Sequence, residues 1–418
     1  MRKKMNIIRR IVFCIPVAIS QPLAAQQLSE YTPLERERWL QEEQPLKLRV
    51  SGGLSYDSNL FRLSDETDAQ AAIGTSDKSD IIYRLGAGGK YEVNQSRQKF
   101  IVEASVNEYK FQNFDNLDNT SSDLRGEWLW QAGNDWNGNL GVGQRRYLES
   151  FSNIQQNVRD MINEERIFGV ANYLLGPHLK LTLDGSFYGT DHGAESRNSL
   201  DSNIRNASFT ANWVTPSQNT VGLQYRTADA RFPNAQAVTT TFITNDYHEN
   251  EYSVVAHWTA SGVSEISARF GYTERQFDEL PNRNYSSPTW RLTYLWKPSG
   301  KTSLEFATWR EIAPFEDLTS NYVRLTGLGI VPTWSITPQV ALRGKIAYQT
   351  RDYVGDPGIV PIVQSRKDKD NLYQISALWT PLRLTELILT AESGRRTSNQ
   401  ASAGYVYQAT SVLITRYF

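Results

Sequence analysis

The 418-residue chain has one cysteine and three methionines. The single cysteine, Cys14, excludes a disulfide framework and any multi-cysteine metal centre. No apolar run of about 18 residues follows residue 25, so helical membrane spans are excluded. Histidines number four and fall at 178, 192, 248 and 257, without the i, i+4 spacing that sets two ligands on one helical face. His248-Glu249 beside Asp246 is the one cluster that could support base or metal chemistry, and polar loops are ordinarily rich in such residues. No phosphate-cradling glycine loop and no basic patch suited to nucleic acid is present, so no cofactor, metal, catalytic residue or nucleic-acid partner is expected.

Aromatic residues are plentiful instead. Eleven Trp, 21 Tyr and 16 Phe occur in a chain that is only 39% hydrophobic, with a mean hydropathy of −0.50. A strand protein with one lipid-facing side and a polar, water-filled interior accounts for both figures. The N-terminus carries Arg2, Lys3, Lys4, Arg9 and Arg10, then an apolar run from Ile11 to Ser20 and Pro22-Leu-Ala-Ala25. This pattern predicts a secretory signal peptide over residues 1–25. Phe13, not a small residue, precedes Cys14, which argues against a lipoprotein anchor. Losing those five positive charges takes the formal net charge from −1 to −6.

Residues 26–45 read as a short periplasmic segment, in which 28–45 form a periplasmic or lumen-entering helix. Thr32, Pro33 and Glu35 make a capping box and Pro45 closes it, although a disordered leader reads almost as well. From Leu46 to the end the sequence alternates with period 2. Leu46, Leu48, Val50, Leu54 and Tyr56 oppose Lys47, Arg49, Ser51, Ser55 and Asp57. The same dyad recurs in Ile81–Tyr91, Phe100–Val106, Leu179–Phe187 and Tyr252–Trp258, and again at the end, where Val412, Ile414 and Phe418 oppose Ser411, Thr415 and Tyr417. Arg416 shares the apolar side and is expected to snorkel into the headgroup layer.

Short connections near 94–97, 133–134, 176–177, 216–218, 261–263, 298–300, 337–338 and 381–382 alternate with long polar ones such as 62–79, 149–160, 191–202, 231–245 and 353–367. Short periplasmic turns and long external loops are the signature of an outer-membrane barrel. Eight short turns plus a first and a last strand give an all-β, up-and-down antiparallel transmembrane barrel of 18 strands over 46–418, in a Gram-negative outer membrane. Trp130, Trp136, Trp213, Trp258, Trp296, Trp334 and Trp379 sit beside the short turns as an interfacial girdle. Phe418 is expected to act as an assembly signal for the barrel-assembly machinery and to close the barrel against Leu46–Phe61. The parity of the apolar residues points Arg84, Lys90, Glu92, Glu103, Arg125, Glu127, Arg226, Arg269, Arg291, Glu305, Arg343 and Lys345 into the lumen. As a set they make a polar wall able to guide a solute; any one of them could equally be a paired wall residue.

Tyr56-Asp57-Ser58-Asn59-Leu60-Phe61-Arg62-Leu63 resembles the opening strand of the EpsL-type exopolysaccharide-biosynthesis outer-membrane proteins. The resemblance implies a channel for exopolysaccharide secretion or assembly, with polysaccharide and secretion-complex proteins as partners. Asp57 and Asn59 can also simply cap the turn leaving the first strand. Two further readings stand beside that one: a general or small-solute diffusion porin, and a structural barrel with a plugged lumen.

Overall fold

The computed structural model describes residues 45–234, 236–238, 241–279, 281–313, 322–354 and 365–418. The expected signal peptide and nearly all of the 26–45 segment lie outside them. Eighteen strands form one antiparallel sheet that closes on itself. In chain order they are β1 (Leu46–Asp57), β2 (Asp80–Gln95), β3 (Gln98–Phe111), β4 (Asn119–Ala132), β5 (Trp136–Leu148), β6 (Met161–Leu175), β7 (Leu179–Asp191), β8 (Ser202–Val214) and β9 (Thr220–Arg231), and then, after a small separate hairpin of β10 (Gln236–Val238) and β11 (Thr241–Ile243), β12 (Tyr247–Ser261), β13 (Ser264–Phe277), β14 (Tyr285–Ser299), β15 (Thr302–Ala313), β16 (Tyr322–Thr337), β17 (Val340–Val354), β18 (Lys367–Leu382), β19 (Thr385–Ser398) and β20 (Tyr405–Tyr417). Every barrel strand pairs with its neighbours in sequence, β9 pairs with β12, and β20 returns to β1. The strand count and the eight short turns agree with the reading of the sequence.

Closure has a register of its own: Arg49 lies opposite Tyr417 and Asp57 opposite Ala409. Leu48 and Phe418 then exchange backbone hydrogen bonds of 3.2 and 2.8 Å. The first strand stops at Asp57 rather than Phe61, because Asp57 turns the chain, as described below. Left-handed residues shape the tight turns: Gly133 and Gly176 have φ of 63° and 66°, a region glycine enters without steric cost.

The two faces of the wall differ chemically because side chains alternate across it. Outside, Trp258, Trp296 and Trp379 lie near the short turns, and Tyr252, Trp290 and Tyr373 lie six residues further along the same strands. Six residues span roughly 20 Å along a strand, and the positions between them are apolar. The outer face thus carries an apolar belt with aromatic rings at both edges. Trp136, Trp213 and Trp334 are also exposed on this face. Trp130 is half-buried, since it lies across Gly138, where a Cβ would come within 2.7 Å of its ring. The sequence pattern left out Trp128, which stacks on Phe100 at 5.9 Å, and the whole second ring. Arg416 does point outward, and its guanidinium donates to the Arg383 carbonyl at 2.8 Å and the Thr385 hydroxyl at 2.7 Å.

If these rings anchor the barrel, replacing Tyr252 and Trp258 together by Ala removes one anchor at each edge. It also removes the Tyr225–Tyr252 ring pair at 5.2 Å, worth about 1 kcal/mol. The expected outcome is unfolding at lower urea in vesicles and loss of heat-modifiable gel migration at a lower temperature. An unchanged midpoint would show that the two rings do not sit at lipid interfaces.

Candidate functional site: the lumen wall and its lid

Inter-strand register places every charged residue that the parity reading pointed inward on the lumen side. Arg84 donates to Asn107 at 2.9 Å. Lys90 pairs with Glu103 at 3.1 Å, and Arg125 with Glu127 at 2.7 Å. Lys99 adds a 2.6 Å bridge to Glu92. Glu305 and Arg343 make no ion pair with another described residue. Most of this wall is therefore a set of neutralised pairs rather than free rings of one sign.

The largest set spans β9, β12, β13, β14 and β15. Arg226 donates to Glu249 at 2.7 Å and to Glu251 at 2.8 Å. Arg275 donates to Glu249 at 2.6 Å and stacks 3.8 Å over Tyr247. Arg269 lies 3.4 Å from Glu251 and 3.6 Å from Glu311, and Arg291 holds Glu311 through two bonds of 2.8 Å. Four guanidinium groups thus alternate with three carboxylates, so the set carries one net positive charge. Burial is what makes the pairing obligatory: Glu251 and Glu249 are 2% and 4% exposed, and a lone charge there would lose its solvation without compensation. Arg291 is the best exposed of the four, its side chain 36% accessible. A recess of about 70 Å³ opens among Arg226, Glu249, Arg269, Arg275 and Glu311.

A second set lies on β17, β18 and β19. Asp370 accepts from Arg351 at 2.9 Å and from Arg396 at 2.7 Å, and Asp368 pairs with Arg366 at 2.6 Å. Arg396 also donates to the backbone carbonyl of Ser152 at 3.0 Å. Ser152 belongs to the loop between β5 and β6, six strands round the wall from β19, so this loop crosses the long-loop mouth of the barrel.

A lid forms there. Leu60, Phe61, Leu63 and Ile73 from the β1–β2 loop, Phe114 and Leu117 from the β3–β4 loop, and Phe151 from the β5–β6 loop make one apolar cluster, in which Phe61 and Leu117 are wholly buried. Phe61 meets the rings of Phe114 and Phe151 edge-on, each at 4.7 Å. The latch that ties the lid to the wall is the Tyr56–Leu63 segment. Asp57 accepts from the Asn59 backbone N–H at 2.9 Å and binds Arg62 through two bonds of 2.8 Å. Asn59 donates to the Leu63 and Val406 carbonyls at 2.8 and 3.0 Å. Arg62 stacks 3.5 Å over Tyr407, whose hydroxyl donates to Glu392 at 2.6 Å, and Tyr407 can lie there only because Gly394 has no side chain.

The cluster around His248 does not converge. His248 and Glu249 occupy opposite faces of β12, Glu249 is consumed by two arginines, and Asp246 binds Arg231 at 3.1 Å. Among the described residues no group of three His, Cys, Asp or Glu side chains could hold a metal ion.

The fold is a closed 18-stranded antiparallel β-barrel with an apolar outer face and a charged, polar lumen. Among the solved structures to which the chain is similar are a BenF-like porin from Pseudomonas fluorescens Pf-5 (8% identity, 90% of this chain and 99% of that one, TM-score 0.49), and OccK2 (OpdF) and OccK9 (OpdG) from Pseudomonas aeruginosa (8% and 10% identity, 90% and 89% of this chain and 97% of each, TM-scores 0.47 and 0.49). No family model and no curated protein matches the chain. The resemblance to EpsL-type exopolysaccharide proteins is corrected here. No family model supports it, the solved structures to which the chain is similar include the barrels just named, and the segment that carried the resemblance owes its residues to the latch: Asp57 and Asn59 cap and tether the turn, Arg62 binds Asp57, and Phe61 fills the lid.

Breaking the latch should loosen the lid while sparing the barrel. Asp57→Ala removes a bidentate ion pair and a turn cap, a loss of about 2 kcal/mol, and Gly394→Leu displaces Tyr407 from under Arg62. Both variants should be nicked by trypsin in the 58–79 loop faster than the parent in intact proteoliposomes, with heat-modifiable migration retained. Equal protection in both would mean that the lid is held by its apolar cluster alone.

Proposed function

We propose that the protein is a small-solute diffusion channel of the outer membrane and not a conduit for a polymer. The observation that carries this reading is the lid: the β5–β6 loop bridges to Arg396 across the mouth, which narrows the path to a size suited to small molecules. The paired wall supports it too. A solute can exchange hydrogen bonds along alternating charges without being trapped by a concentrated field of one sign.

Glu311 offers the cleanest test, because it neutralises two lumen arginines, one of them well exposed. Glu311→Gln should leave Arg291 without its carboxylate and Arg269 with Glu251 alone, which takes the set from one net positive charge to two. In planar bilayers the reversal potential under a salt gradient should move toward anions in dilute salt. The shift should fade near 1 M salt, where the screening length falls to about 3 Å. A parent protein that never conducts would favour a plugged structural barrel, and conduction without a selectivity shift would mean that permeating ions avoid this wall.

A further inference from the structure

The outer wall carries a feature that the channel does not use. Between β16 and β20 the lipid-facing side chains shrink to Gly344, Ala391, Ser393 and Thr410, flanked by the exposed Tyr373 and Ile375. They leave an apolar depression of about 500 Å³ open to the bilayer. Towards the long-loop end, Arg395 follows Ser393 on the same face of β19, and Lys369 lies four residues beyond Tyr373 on β18. Both are exposed. Their lateral neighbours across the strands are Asn371 and Val406 for Arg395, and Thr350 and Thr397 for Lys369. None of these is acidic. Among the described residues of this face the neighbouring carboxylate is Asp352, which is opposite Lys367 and is bound by Arg324 at 2.9 Å.

We infer that this sector binds a phosphorylated, multiply acylated lipid of the external leaflet, the lipid A portion of lipopolysaccharide. One acyl chain fills the depression, and a phosphate is held by Lys369 and Arg395 with Asn371 and Gln408 as polar neighbours. Three features select this occupant. Two adjacent cations without acidic neighbours complement a phosphate and not a neutral headgroup. They stand at the long-loop end, beyond the aromatic ring, where headgroups of the external leaflet lie, and that leaflet is where phosphorylated glycolipid replaces phospholipid in a Gram-negative outer membrane. A second copy of the chain packed face to face here would instead set Lys369 and Arg395 against their own counterparts. The inference is independent of what passes through the lumen.

The test uses the full chain purified in detergent, with native mass spectrometry of retained lipid after addition of diphosphoryl lipid A, dephosphorylated lipid A or phosphatidylglycerol. The parent should retain diphosphoryl lipid A best. Lys369→Glu with Arg395→Glu should weaken retention about ten-fold or more, and Ser393→Trp, which fills the depression, should weaken it without a change of charge. Lys369→Arg with Arg395→Lys should keep it. Heat-modifiable migration and conductance should be the same in all variants, which separates lost binding from lost folding. Retention of phosphatidylglycerol equal to that of lipid A would overturn the assignment in favour of ordinary annular phospholipid. Undiminished lipid A retention by the charge-reversed protein would overturn the phosphate contact. Cross-linked dimers from Ser393→Cys in membranes would assign the face to a second copy.

Discussion

Every backbone N–H and C=O within a lipid bilayer must find its partner inside the protein, and the rest of this structure depends on that demand. A sheet meets it only by having no edge. The Arg49–Asp57 segment of β1 therefore pairs with Ala409–Tyr417 of β20, and the seam is extended by Leu48 and Phe418. Once the sheet is closed, the pleat sorts side chains into two solvents. Residues on the outer side bury no core in the usual sense: Leu85, Leu183 and Leu223 are among the most exposed large hydrophobic residues described, and their solvent is hydrocarbon.

The same closure explains the inner face. A wall one strand thick cannot bury a charge behind another layer, so most of the paired lumen carboxylates are satisfied sideways, by arginines and lysines of neighbouring strands. Arg226, Glu249, Glu251 and Arg275 are held in this way. Removing one partner would leave an uncompensated charge in a crowded, poorly hydrated place. Pairing keeps the lumen hydrophilic without concentrating charge of one sign in it.

The fold was legible because lipid contact enforces alternation. Wherever apolar residues mark one parity, as in Tyr252, Val254 and Trp258, the opposite parity reads as lumen, and Arg226, Arg269 and Arg291 could be placed from it. The signal fails above the bilayer. There the outward residues become polar too, as with His248 and Asn250 around Glu249, Glu274 and Gln276 around Arg275, and Arg310 beside Glu311, so nothing sets the parity of the acids that neutralise the arginines. The lid was illegible for a different reason. Leu60, Phe61, Phe114, Leu117 and Phe151 come from three loops with no period, and only the folded chain brings them together. The Tyr56–Leu63 segment drew notice as a family mark, whereas its residues are explained by the turn and the latch they build.

The account stands on a lumen that is open but roofed at one mouth. Polymer exclusion measures this directly: conductance of the reconstituted protein is followed while polyethylene glycols of increasing size are added to one side at a time. The account predicts that mid-sized polymers enter from the short-turn side and reduce conductance, and that the same polymers are excluded from the long-loop side. Equal access from both sides would contradict the lid, and absence of any conductance would contradict the channel.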